Sequence, residues 1–162
     1  MNYFELFNLP IAPTVDKSVI SKTYFELQKK YHPDFYSYAG ESEKEEVLQR
    51  SADVNNAYKT FQNPENTIEY FLRTTGLLET DEKYNLPPEF LMEMMDINET
   101  FAVDEITATK QVEEYKEKLG KEVEPIIQNY HSGNTDGADL QKIKIFYFKK
   151  KYLKRILDRI DD

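Results

Sequence analysis

Apolar side chains recur at steps of three and four residues through most of this chain, the interval that lines one face of an α-helix. Ile20, Tyr24, Leu27 and Tyr31 make one such stripe, and Val47, Ser51, Val54, Tyr58 and Phe61 make a second. Phe90, Met94, Ile97 and Phe101 form a third, and Val112, Tyr115, Leu119, Val123, Ile126 and Tyr130 a fourth. Composition agrees: 40% hydrophobic and 31% charged residues with 5 Gly and 7 Pro describe a folded, helix-leaning chain. Its 162 residues suffice for one ordinary domain or two small ones.

The breaks between stripes set the organisation. Asp16 stands where a helix N-cap belongs, and Pro33 ends the helix that follows. Residues Phe35 to Gly40 read as a loop, and Ser42 with Glu45 three positions later resembles a capping box opening a second long helix. Two helices of similar length joined by a short loop pack antiparallel, which places His32-Pro33-Asp34 at one tip. Pro64 begins a further short helix with Ile68, Phe71 and Leu72, and Gly76 stops it. The pattern then lapses up to Pro87-Pro88, so the expected division is a domain over 1–75, a linker over 76–87 and a second domain over 88–162. Three helices are expected in the latter, at about 89–102, 104–130 and 136–160, the middle one kinked at Pro125. The fold class is therefore all-α, an N-terminal helical hairpin plus a C-terminal three-helix bundle.

Several functions are disfavoured. A formal charge of -9 repels phosphate backbones, so nucleic acid is not an expected partner. Without Cys, and with only His32 and His131, no metal site and no cofactor are expected. No stretch approaches the roughly 20 apolar residues of a membrane span. The start, Met1-Asn2-Tyr3-Phe4-Glu5-Leu6-Phe7, lacks a basic leader pattern, so no membrane association and a cytoplasmic location are expected. A hydrolase built on His32 and Asp34 is a rival reading, but the chain has no second histidine nearby, no nucleophile motif and no glycine-rich phosphate loop.

Protein binding remains, with two candidate sites. One is the hairpin tip, where His32, Pro33 and Asp34, read singly, are a surface histidine, a helix stop and a turn residue. Lys22 and Lys29, one heptad apart, and Lys30 near the last turn form a basic face beside it. Such a face orients a partner, although a merely solvated face explains the lysines equally well. In the third stripe, Leu91, Met92 and Met95 are left over from core packing and lie beside Asp96 and Glu99. A mixed apolar and acidic flank of this kind marks a partner site unless the bundle buries both flanks.

The last helix is apolar on two sides. Ile143, Phe146, Leu153, Leu157 and Ile160 lie on one, and Ile145, Phe148, Tyr152 and Ile156 on the other, which leaves open whether Phe146 or Phe148 joins that site. Lys149, Lys150 and Lys151 read as a solvated face in preference to a nucleic-acid patch.

His32-Pro33-Asp34 after a basic helix, the opening Tyr3-Phe4-Glu5-Leu6-Phe7-Asn8-Leu9-Pro10 and the later Val54-Asn55-Asn56-Ala57-Tyr58 together resemble a J-domain over residues 1–75. Tyr70-Phe71-Leu72, Gly76 and the segment from Pro88 to Phe101 extend the resemblance to the HscB type of J-domain co-chaperone. It implies a protein with no catalytic centre of its own. His32, Pro33 and Asp34, aided by Lys22, Lys29 and Lys30, would stimulate the ATPase of a specialised DnaK/HscA-type chaperone, Asp34 meeting an arginine of its nucleotide-binding domain. By position, Leu91, Met92, Met95, Asp96 and Glu99 match the family's stretch for binding an IscU-type iron-sulfur scaffold, which the protein would deliver to the chaperone. The sequence departs at Val103, where another acidic residue is expected, and at Asn66-Thr67-Ile68, where the family has an arginine before the tyrosine. The rival within this class is a general J-protein that hands unfolded clients to a DnaK-type chaperone.

Overall fold

The computed structural model describes residues 1–131, 133 and 135–158. These residues contain seven α-helices and one turn of 3-10 helix, with no strand, and the chain divides into two compact units, Met1–Thr75 and Gly76–Asp162. The all-α expectation holds, as does the order of a helical hairpin followed by a three-helix bundle.

The first unit comprises α1 (Tyr3–Leu6), α2 (Lys17–Lys30), the 3-10 turn (Pro33–Tyr36), α3 (Glu41–Gln62) and α4 (Pro64–Thr74). Asp16 caps α2 as expected, its carboxylate accepting the Ser18 N–H at 2.9 Å and hydroxyl at 2.6 Å. Those bonds, the hydroxyl's first, hold the Asp16 carboxyl below its ordinary range. The capping box expected at Ser42 and Glu45 does not form. Helix α3 already starts at Glu41, with Gly40 as its N-cap and no side-chain cap, so Ser42 lies inside the first turn. Gly40 takes the extended N-cap conformation, so Ser42 falls at the second helical position, where it is not the capping residue.

Phe4, Phe7, Ile20, Val54, Phe61, Phe71 and Leu72 form the core of this unit. The short opening helix supplies its plug. Phe4 and Phe7 meet Phe61 at ring distances of 5.2 and 5.5 Å, while Tyr3 stacks on Tyr70 at 4.5 Å and donates its N–H to the Tyr70 hydroxyl. Asn63 ends α3 and caps α4, accepting the N–H groups of Glu65 and Asn66. Gly76 follows the end of α4 with φ at +77°, the left-handed conformation that a terminating glycine adopts without steric cost.

The second unit comprises α5 (Pro88–Val103), α6 (Glu105–His131) and α7 (Gly137–Asp158), within a residue or so of expectation at every described end. The expected terminus at Ile160 falls outside the described residues. Helix α6 packs on both α5 and α7 around Phe90, Met94, Ile97, Val112, Leu119, Leu153 and Ile156. It continues as one helix through Pro125. Asp104 joins α5 to α6, accepting the Thr107 N–H and hydroxyl at 3.1 and 2.6 Å, which depresses its carboxyl, the hydroxyl acting most. Residues 76–87 pack with this unit: Leu78 is buried, Glu82 pairs with Lys144 at 2.8 Å, and the Tyr84 ring stacks on Phe148 at 4.6 Å.

Burial corrects the two-sided reading of α7. Ile156, assigned to the side away from Leu153, is buried together with Leu153, and Tyr147, assigned to neither side, is buried too. Packing between α5 and α6 encloses an arc of α7 wider than one stripe, so a three-and-four spacing alone could not separate its sides.

Candidate functional site

The tip of the hairpin is built from the helices beneath it. The rings of Tyr24 on α2 and Tyr58 on α3 stack at 3.8 Å. Beside them the Tyr24 hydroxyl donates to Asn55 Oδ1 at 2.9 Å, and Gln28 Nε2 donates to both, at 2.7 Å to the hydroxyl and 2.9 Å to the amide oxygen. Sequence reasoning assigned no role to this clamp. Tyr24 and Gln28 share a face of α2 one turn apart, but their partner Asn55 lies on α3, so no local spacing announces the contact.

Helix α2 stops at Lys30 because Pro33 disfavours further helical backbone, and the chain turns into the 3-10 helix. The Tyr36 hydroxyl donates to the Lys30 carbonyl at 2.9 Å, satisfying an otherwise orphaned acceptor at the end of α2. His32 caps the turn through Nδ1, which accepts the Asp34 N–H at 3.2 Å, and the Ser37 hydroxyl donates to the Asp34 carbonyl at 2.7 Å. An accepting Nδ1 carries no proton, so the tautomer that makes this cap has its proton on Nε2. Both main-chain groups of Asp34 are thereby held while its side chain stands 88% exposed, 3.7 Å from His32 Nδ1. The geometry presents a carboxylate outward on a backbone tied in place on both sides.

Lys22, Lys29 and Lys30 are all exposed along α2. Phe25, which sequence reasoning passed over, lies between the first two, 62% exposed, with Lys29 Nζ 4.5 Å from its ring centroid. The basic face thus carries an aromatic ring.

On α5 the leftover residues are on the surface. Phe90, Met94 and Ile97 are buried, whereas Leu91, Met92 and Met95 are 36%, 66% and 60% exposed, with Asp96 and Glu99 exposed beside them. Removing the buried stripe from a three-and-four pattern leaves this flank unopposed within the unit. Tyr115 of α6 hydrogen-bonds Glu93, and burial first, then Glu93, pushes its hydroxyl up to about 12. Phe148 and Leu91 line one cavity, while Phe146 lines another with Leu119, Val123 and Ile126. Val103, where an acidic residue was expected, is 89% exposed.

The lysine run on α7 covers rings. Lys149 Nζ lies 5.4 Å from the Phe90 centroid, Lys150 5.9 Å from Phe146 and Lys151 5.8 Å from Tyr147. Consecutive helical positions point about 100° apart, so the three do not form one basic strip. Among the described residues no group of His, Asp and Glu could hold a metal ion, and no helix is long and apolar enough to cross a membrane.

Asn55→Ala removes the acceptor shared by Tyr24 and Gln28. The expected result is a loss of about 1 to 2 kcal/mol in chemical denaturation, together with faster amide exchange at the tip.

Known proteins share both halves of this arrangement. A DnaJ domain model matches residues 2–70, and a model described as the HSCB C-terminal oligomerisation domain matches 86–161. The chain is 35% identical over 124 residues to the co-chaperone protein HscB homolog of Psychromonas ingrahamii, a match spanning 76% of this chain and 73% of its relative. It is 41% identical over 100 residues to the homolog of Vibrio cholerae, spanning 61% of this chain and 58% of that one. The solved structure of human co-chaperone HscB is similar at a TM-score of 0.77 and 30% identity, covering 99% of this chain and 81% of the human one. That of chaperone HscB from Vibrio cholerae is similar at 0.61 and 28%, covering 99% of both. A hairpin that offers Asp34 from its tip and a separate bundle that offers an apolar flank are thus joined in the same order as in these relatives, and the chain belongs to the HscB family of J-domain co-chaperones.

Proposed function

We propose that this protein stimulates ATP hydrolysis by a DnaK/HscA-type chaperone through Asp34 and delivers to it an IscU-type iron-sulfur scaffold held on the Leu91, Met92 and Met95 flank. The observation that carries the reading is the presence of an outward carboxylate on a fixed turn in one unit and an exposed apolar and acidic flank in the other. An arginine of the chaperone would take Asp34 in a charge-assisted pair contributing about 1.5 to 3 kcal/mol. Lys22, Lys29 and Lys30 would steer an acidic face of the chaperone into register, raising the association rate more than the affinity. His32 and Pro33 position Asp34 and touch no reacting atom.

On α5, methionine side chains adapt to a partner's contours, while Asp96 and Glu99 set its orientation. The protein itself contributes no catalytic group. Two separate sites let it hold cargo and engage the chaperone at once, so cargo and ATP hydrolysis meet at high effective concentration.

Reconstitution tests the reading. Purified protein added to the cognate DnaK-type chaperone should raise steady-state ATP hydrolysis, and addition of the cognate scaffold should raise it further. The same protein should fail to suppress aggregation of unrelated unfolded proteins. Broad suppression of aggregation would instead identify a general J-protein, and ATP turnover unchanged by the protein would refute the co-chaperone reading.

A further inference from the structure

Leu91 also lines a cavity of about 470 Å³ within the second unit. One wall is the stripe Phe148, Lys151, Tyr152 and Arg155 of α7, spaced so that all four share a helical face. The opposite wall is the chain at 82–86, which is held in place. Glu82 bonds Lys144 at 2.8 Å with side chains only 17% and 13% exposed, and Tyr84 lies flat on Phe148, their planes 6° apart. Lys144 caps the other aromatic contact, 5.6 Å from the Tyr84 centroid. Tyr152 in turn meets Phe90 edge-on at 5.7 Å, which ties the floor of the cavity to the core of α5. A wall fixed in this way loses little freedom on binding, which favours a preformed site.

Its charge is the opposite of the flank next to it. Glu82 is committed to Lys144, so the open rim presents Lys151 and Arg155, with Lys83 on the facing chain, whereas Asp96 and Glu99 extend from the same α5 that bears Leu91. In a chain of net charge -9 this basic rim stands against the general field. Phosphate is the poorer match, because Lys149, Lys150 and Lys151 leave α7 about 100° apart and form no continuous basic strip to follow a nucleic-acid backbone.

Resting on the scaffold reading of the α5 flank, we propose that this cavity is a second half of the scaffold site and takes an apolar segment of the scaffold that bears a carboxylate. The apolar part enters between Leu91, Tyr152 and the Tyr84–Phe148 stack. The carboxylate meets Arg155, whose planar fork suits bidentate pairing, and Lys151 as a point charge. Contact is then bipolar: a base on the scaffold faces Asp96 and Glu99, an acid faces Lys151 and Arg155, and a reversed approach is repelled at both ends.

The test measures association of full-length Lys151→Glu/Arg155→Glu protein with the cluster-free cognate scaffold across a salt series, beside Leu91→Ala/Met92→Ala/Met95→Ala. Thermal melts, and a Lys151→Gln/Arg155→Gln form free of added like charge, exclude unfolding. The proposal expects the reversed pair to associate about tenfold more slowly than wild type at low ionic strength. It expects the two to converge near about 0.5 M salt, where screening is nearly complete. If the triple alanine variant binds weakly while the reversed pair matches wild type at every salt concentration, the cavity proposal falls and the flank survives. If neither substitution weakens binding, the scaffold reading itself falls. Wild-type binding to a DNA or RNA oligonucleotide that the reversed pair abolishes would assign the rim to phosphate and overturn the proposal.

Discussion

Asp34→Asn should leave helical circular dichroism and the melting temperature of the protein unchanged while reducing its stimulation of chaperone ATP hydrolysis to under about a tenth. The structural half of this expectation rests on what holds the turn. The His32 cap receives the Asp34 main-chain N–H and the Ser37 hydroxyl bonds the main-chain carbonyl, so neither contact uses the carboxylate. That carboxylate is 88% exposed and only 3.7 Å from His32 Nδ1, too far for a hydrogen bond that would stabilise the fold. The functional half follows from what asparagine cannot do, since it keeps the shape but offers one acceptor oxygen where the carboxylate has two and carries no charge. Removing one partner of a hydrogen-bonded charge pair in an interface costs about 2 to 5 kcal/mol, equivalent to a loss of at least about thirtyfold in affinity. Steady-state ATPase measured against chaperone concentration checks it. Wild-type stimulation by the variant at the chaperone concentration that half-saturates the unmodified protein would remove Asp34 from the mechanism.

Leu91→Ala/Met92→Ala/Met95→Ala is the complementary experiment, with an expected loss of about a hundredfold or more in affinity for the scaffold. Full burial of each such side chain at an interface is worth about 1.5 to 3 kcal/mol. Part of that is already absent for Leu91, the least exposed of the three. A combined loss of about 3 kcal/mol, or two decades in affinity, is therefore a conservative figure. Folding should survive because the bundle is held by Phe90, Met94 and Ile97 on the other side of α5. Isothermal titration with cluster-free scaffold reads the loss, and scaffold-free ATPase stimulation, which reports on the first unit, should persist. Wild-type affinity in the triple variant would move the scaffold site elsewhere.

The parts of the protein that were readable in advance depend on local chemistry. The stripes from Ile20 to Tyr31 and from Phe90 to Phe101, the cap at Asp16 and the stop at Gly76 each follow from a few adjacent residues, and each appears in the structure. Leu91, Met92 and Met95 were separable from the core for the same reason, since Phe90, Met94 and Ile97 use up the inward stripe. The expected capping box failed because the helix starts two residues earlier, from Gly40, which leaves Ser42 inside the first turn.

What lay hidden involves residues distant in sequence. No local pattern pairs Tyr24 with Tyr58, or Asn55 with Gln28, although together these hold the tip. The register of α7 is the clearest case. Its apolar residues fill more than one stripe, so only packing against α5 and α6 could bury Tyr147 and Ile156, turn Phe148 toward Tyr84 and Leu91, and leave Phe146 over a different groove.

By itself the sequence determined an all-helical chain and the outward-facing candidates at Asp34 and on α5, because helical periodicity and capping act over a few residues, whereas the segment 76–87, expected as a linker, belongs to the second compact unit. Tertiary structure alone decided how Asp34 is held, that 82–86 lies against α7, and that basic Lys151 and Arg155 share a cavity with Leu91. Those outcomes are set by long-range contacts, whose strength depends on which faces meet and not on which residues are neighbours in the chain.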